Sequence, residues 1–353
     1  MTDTPATQPQ PSARGEAGGP GEEAGPVRDA QGRPVEAPPI VFVGGTGRSG
    51  THVLAKLLTR HPHLAMVPLE VRFHVEDRGF PGLLAGSVSK EQFVGRLRGF
   101  WWKGFQTRRM RGLYRFVPEA SFERAVAGFE AGFDADPQAA CRRLFYDLLW
   151  GRAEKAGAYG LVEQSCDTVA AAPTLARLFP EAKFIHVVRD GRDTSASRVA
   201  QTKGLIYPRT RRQGLEWWED RIRRIDAGAR AIPDDRLLTV SLDELLLLRR
   251  PSTLKPICRF AGIYRQTRMK RFFHRRMSSE LAHSDRWRAG MSDRRAARLE
   301  RLYGEILDRF EAEGVRCAPL LRRTLERSQV PRAKRLKPLV FLAGDGSPVE
   351  IRT

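Results

Sequence analysis

Nine residues near the start of the chain, Gly44-Gly45-Thr46-Gly47-Arg48-Ser49-Gly50-Thr51-His52, combine the types needed to hold a tetrahedral anion. Glycine lets a backbone turn tightly and come close to a ligand. A short apolar run, Ile40-Val41-Phe42-Val43, precedes them and reads as a buried strand. Val53, Leu54, Leu57 and Leu58 follow at helical spacing. Strand, glycine-rich loop and helix together aim backbone N–H groups at a point where the helix dipole is positive. That point suits a phosphate or sulfate, and Arg48, Ser49 and Thr51 add side-chain donors to it. Gly45 and Gly50 stand at the spacing of the phosphate loop G-x-x-x-x-G-K-[ST]. The next residues are Thr51 and His52, so the usual lysine is missing, and so is the hydroxyl that would hold Mg²⁺. The cation sits inside the loop instead, as Arg48. The loop therefore reads as a cradle for an anion bound without a metal.

Two further stretches carry chemistry. Phe184–Val188 reads as a buried strand that runs into Arg189-Asp190-Gly191-Arg192-Asp193-Thr194-Ser195-Ala196-Ser197. A guanidinium at a strand end offers a bidentate fork to phosphate, and Ser197 on the following helix adds a hydroxyl. Asp193 or Thr194 is the expected cap of that helix. The other stretch follows His61-Pro62-His63, where a short strand over Leu64–Val67 leads to Glu70-Val71-Arg72-Phe73-His74. A carboxylate just beyond a strand adjacent to the loop can act as general base on an acceptor hydroxyl. His74 is a rival for that role, and a plain ion pair between Glu70 and Arg72 is the other reading.

With these residues in place, the chain resembles the sulfotransferases that use 3′-phosphoadenosine 5′-phosphosulfate. Arg48-Ser49-Gly50-Thr51 fits their 5′-phosphosulfate loop, [KR]-[ST]-G-T-[TS], and His52 departs from it. Arg189 to Ser197 fits their 3′-phosphate site, R-D-x-R-x-x-x-x-S. Glu70-x-Arg72 is similar to the Glu-x-Arg element of the protein-tyrosine sulfotransferase branch, in which the glutamate is the catalytic base. Gln164 occupies a position where much of the family carries a lysine that helps neutralise the leaving group. The resemblance covers roughly residues 40–312, with the motifs in the family's order. It implies transfer of a sulfuryl group to an acceptor hydroxyl by in-line displacement. Glu70 and Arg48 would be catalytic, and Gly47, Arg48, Ser49, Gly50, Thr51, His52, Arg189 and Ser197 would bind the co-substrate, with no metal. The acceptor could be a carbohydrate, a lipid, a metabolite or a peptide tyrosine.

The elements that must position these residues alternate between strand and helix. Helices are expected over 121–133 and 138–157, strands near 161–166, 184–188 and 236–242, and helices over 214–231, 254–261 and 294–311. This order predicts an α/β fold: a three-layer, P-loop-like parallel sheet with helices on both faces and its sites at the carboxyl ends of the strands. Residues 1–37, rich in Pro, Gly and Ala, read as a disordered tail, 38–320 as the sulfotransferase-like domain, and 321–353 as a basic extension. Val340-Phe341-Leu342 could form an edge strand of no assigned place. Phe100, Trp101, Trp102 and Phe105 lie among Arg108, Arg109 and Arg111 and read as core packing plus an acceptor-facing lid. Asp243 and Glu244 are expected to cap a helix or hold an arginine. Arg286 and Arg288, beside Trp287, are candidates for an anion contact or for a plain surface loop.

The formal net charge of +20 over 353 residues suits anionic partners. The four cysteines are far apart and show no metal spacing, which points to reduced thiols and a cytoplasmic setting. No apolar run reaches the ~20 residues of a membrane span, and no secretory signal is visible. Two other functions fit parts of the pattern: an Mg-ATP-dependent kinase, which would need a lysine after Gly50, and a non-catalytic polyanion-binding protein. Nucleic acid is the less expected partner, because no nucleic-acid module accompanies the basic residues.

Overall fold

Six strands form one sheet in the order β2-β3-β1-β4-β5-β6. They are β1 (Ile40–Gly45), β2 (Leu64–Met66), β3 (Gly160–Glu163), β4 (Lys183–Val188), β5 (Leu237–Ser241) and β6 (Phe341–Ala343). This computed structural model describes residues 39–104, 112–248, 251–278, 280–281, 284–329 and 338–351. The first five strands pair in parallel, with Val43 beside Ile185 and Ile185 beside Leu238. Val41, Val43, Ile185 and Val187 face one apolar layer, while Ile40, Phe42 and Phe184 face the other. Burial on both faces explains why these strands read as continuous apolar runs. The three-layer α/β expectation therefore holds.

Helices close both faces. Helix α1 (Thr51–Leu58) follows the loop and buries Leu54, Leu57 and Leu58 against one face. On the other, α2 (Glu119–Gly132) brings Phe129 to Phe93, and α3 (Pro137–Leu149) brings Phe145 to Phe42 and Phe179. Trp101 is buried in this layer and Trp102 stacks on Phe122 at 4.1 Å, so the aromatic cluster packs as core. Phe105, Arg108, Arg109, Arg111 and the tail 1–37 lie outside the described residues. Helices α4 (Gly191–Thr202), α5 (Arg211–Ala229), α6 (Asp293–Ala312) and α7 (Ala318–Gln329) surround a third apolar cluster.

The expected boundary at 320/321 falls inside α7, and β6 finds its place antiparallel to β5, Thr239 beside Leu342. The described part of the last segment thus closes the sheet edge. Glu244 holds Arg327, as expected, while Asp243 accepts from the Asp190 N–H at 2.7 Å and so ties this turn to the end of β4.

His186, in the middle of β4, is fully buried, and its Nε2 has no hydrogen-bond partner. Burial holds its pKa down at about 4. The folded state therefore keeps His186 neutral, whereas the unfolded chain protonates it near pH 6.5. The stability this confers is complete above pH 6.5 and is lost as pH falls toward 4. At pH 5 the loss is up to about 2 kcal/mol. Urea titrations at pH 7 and pH 5 check this: the His186→Leu variant should lose less stability between them than the wild type does.

Candidate active site

The loop after β1 folds as its glycines require. Gly47 and Gly50 take positive φ (79° and 97°), and a Cβ on Gly50 would strike Leu242 at 2.6 Å. Arg48 also sits at positive φ, 62°, a conformation costly for a side-chain-bearing residue and common at ligand sites. Its side chain is exposed above the loop. Gly50 precedes the first turn of α1 with no side-chain cap, so the N–H groups there keep their capacity for a ligand. The Ser49 hydroxyl is fully buried without a partner. An orphaned hydroxyl in an uncapped glycine cradle fits an anion.

The second anion element meets the first. Arg48 Nε donates to Ser197 Oγ at 3.0 Å, and Arg189 Nη1 donates to the Arg48 carbonyl at 3.1 Å. Arg189, at the end of β4, lies 4.0 Å from Asp193 and is largely buried. The cap of α4 is Asp190, which accepts from the Arg192 N–H at 2.8 Å. The expectation of Asp193 or Thr194 is corrected here: Asp193 turns away and accepts from the Asp285 and Trp287 N–H groups. Burial raises Asp193 to about 6 and Asp243 to about 7, the latter against the pull of Arg189.

Arg192 does not share Arg189's position. It is fully buried, forks onto Asp190 at 2.6 Å, reaches Glu300 at 3.2 Å and lies 4.6 Å from the Trp287 ring and 4.8 Å from that of Tyr303. One arginine of the motif faces the site and the other ties α4 to α6 and α7. Arg288 pairs with Glu300 at 3.2 Å, so it serves the same seam. Arg286 is exposed.

Glu70 lies beside the start of α1. The Cys166 thiol donates to its Oε1 at 3.4 Å, and the same sulfur is 3.9 Å from Thr51 Oγ1. Arg72, at φ 57°, forks onto Glu70 Oε2 at 2.7 and 3.2 Å. The pair is only half-buried, so both carboxylate oxygens are oriented while the group stays open to solvent. Burial and the Glu70 charge push the Cys166 thiol up to about 12, which leaves it a neutral donor. His52 is exposed at the first turn of α1, beside Gln164 and within electrostatic reach of Glu70; burial and Lys56 lower its pKa.

His74 does not face this space. It is fully buried on Phe42 and Phe145, with Nε2 3.0 Å from Glu163 Oε2, itself fully buried. Glu163 also accepts from the Ser165 N–H and, at 2.7 Å, from its hydroxyl. His74 therefore helps set the turn that carries Gln164 and Cys166, and it has no route to a reacting hydroxyl. Sequence reasoning missed Cys166, Asp167, Trp217 and Arg221 around the site. Only Arg198, next to Ser197, had a neighbour that could have drawn notice.

A glycine-rich loop between a strand and a helix, joined to an arginine at the next strand end of a mostly parallel sheet, defines a P-loop-like α/β protein. The family model for the sulfotransferase family matches residues 39–267, and the chain belongs to that family. It is 26% identical over 211 residues to a protein-tyrosine sulfotransferase of Drosophila melanogaster, covering 59% of this chain and 35% of that protein. It is 27% identical over 227 residues to protein-tyrosine sulfotransferase 2 of Gallus gallus, covering 64% and 51%. The chain thus spans between about a third and a half of the length of these curated relatives. Among solved structures it is similar to the sulfotransferase domain of the Synechococcus PCC 7002 olefin synthase, 22% identical with TM-score 0.42, over 72% of this chain and 89% of that one. Among the described residues, no helix is long and apolar enough to cross a membrane.

Proposed function

We propose that this protein moves a sulfuryl group from 3′-phosphoadenosine 5′-phosphosulfate to an acceptor hydroxyl, in keeping with its family. The observation that carries the reading is the contact between the two anion elements, Arg48 Nε to Ser197 Oγ at 3.0 Å and Arg189 to the Arg48 carbonyl at 3.1 Å. A ligand with phosphate at both ends of one ribose needs two such elements side by side. The co-substrate supplies the activated sulfuryl group. Arg48, Ser49 and the N–H groups of the loop hold the 5′ end, Gly47 and Gly50 let the backbone approach it, and Thr51 and His52 border it. Arg189 and Ser197 take the 3′-phosphate. Glu70 accepts the acceptor's proton, with Arg72 and Cys166 fixing its two oxygens. Such an in-line transfer asks the protein mainly for positioning and charge stabilisation.

The names of the related tyrosine sulfotransferases favour a tyrosyl hydroxyl as the first acceptor to test. The four free thiols support a reducing, cytoplasmic setting.

Calorimetry with adenosine 3′,5′-bisphosphate, in EDTA, tests the nucleotide site. Binding should be tighter than that of ADP and indifferent to Mg²⁺. Arg189→Ala should weaken it by about tenfold or more, the worth of a charge-assisted phosphate contact. Equal affinity for ADP, or a requirement for Mg²⁺, would return the chain to the kinase or polyanion-binding readings.

A further inference from the structure

Many arginines of this protein meet carboxylates: Arg142 meets Glu181, Arg192 meets Asp190, and Arg309 meets Glu219. Arg198 does not. Its Nη1 reaches only the Gln201 amide oxygen, at 3.2 Å, its Nε is buried with no partner, and no carboxylate pairs with it among the described residues. Yet it is not free in solvent. Its guanidinium lies 5.3 Å from the Trp217 ring, and that of Arg221 lies 5.7 Å from the same ring.

The neighbours of this pair lead along the site in two directions. Arg221 pairs with Asp167. Asp167 follows Cys166, whose thiol touches Glu70, and Arg72 is on the far oxygen of Glu70. In the other direction Arg198 follows Ser197, which holds Arg48 of the loop. Burial and the charges of Arg221, Arg48 and Arg72 all disfavour its charged form and hold its pKa below the ordinary guanidinium value. A half-buried guanidinium that feels three others and has no carboxylate is uncompensated until an anion arrives. Trp217 keeps it there by stacking.

Resting on the co-substrate reading above, we propose that Arg198 is the second guanidinium of the sulfonate site, set between the donor loop and Glu70, and that it stabilises the sulfuryl group as it passes to the acceptor. Gln164 can offer this space a dipole but no charge. Arg198 belongs to α4, one residue after Ser197.

The test separates the sulfonate from the phosphates and needs no acceptor. Full-length wild type, Arg198→Ala and Arg198→Gln are compared in two measurements. One is calorimetric binding of adenosine 3′,5′-bisphosphate, which lacks the sulfonate. The other is release of sulfate to water from the phosphosulfate donor. Both variants should bind the bisphosphate as the wild type does and release sulfate about 10²-fold more slowly, the scale on which one preorganised donor acts. Arg198→Lys should recover part of the rate. Arg198→Gln keeps most of the stem on Trp217 and serves if the alanine variant melts early. Unchanged sulfate release would overturn the proposal. A parallel loss of bisphosphate affinity would overturn it in favour of a phosphate contact. A wild type that binds no bisphosphate and releases no sulfate would refute the co-substrate reading itself, and the proposal with it.

Discussion

Replacing Glu70 with Gln should lower sulfuryl transfer by about 10²–10⁴-fold, the range for loss of a general base. Nucleotide affinity should not change, because Glu70 contacts none of Arg48, Ser49, Arg189 or Ser197. Gln is nearly isosteric: its one amide oxygen can still accept from Arg72 and its NH2 can donate to the Cys166 sulfur, so the geometry largely survives while the proton acceptor is lost. The Glu70–Arg72 pair is half-exposed, and its loss should cost the fold little. Turnover is measured with a tyrosyl acceptor at saturating donor, beside bisphosphate calorimetry. Undiminished turnover would remove Glu70 as the base. His74 could not then inherit the role, since its imidazole is fully buried against Glu163 and Phe145.

The largest stability effect should come from Arg192. Its five donors serve Asp190, Glu300, Ser328 and the Thr324 carbonyl, and its plane lies between Trp287 and Tyr303. Removing it leaves the Asp190 carboxylate buried without its cation, and breaking a buried pair from one side costs about 3–5 kcal/mol. Arg192→Ala should therefore unfold in urea with a midpoint shifted by that amount of free energy. Arg192→Lys should recover little, because a single ammonium cannot reach two carboxylates and stack between two rings. Bisphosphate affinity should fall as well, because Asp190 caps α4 and stands next to Arg189. A loss below about 1 kcal/mol would mark the network as an exposed-type pairing.

What could be read from the chain alone was local. The run Ile40–Val43, the loop glycines and the period of Val53, Leu54, Leu57 and Leu58 each state their own conformation within a dozen residues, so strand, loop and helix were legible, and with them the place of Arg48 in the loop. The same holds for Phe184–Val188 followed by Arg189 and Ser197, since both sides of that site lie on one strand-turn-helix. Their order along the chain was enough to call a parallel α/β sheet.

Tertiary structure decided what depends on pairing between distant segments. Arg189 and Arg192 are the same residue type three positions apart, yet one faces the loop and the other the seam with α6 and α7, because α4 turns them to opposite environments. Glu70 was the base expected from the sequence and His74 its rival; only the packing of Phe42, Phe145 and Glu163 buries His74 and leaves Glu70 at the loop. The edge strand at Phe341 found its partner across a hundred residues in β5. Cys166, Trp217 and Arg221 carried no signal of their own, since a thiol, an indole and a guanidinium acquire a role only from the groups that the fold brings within a few ångströms of them.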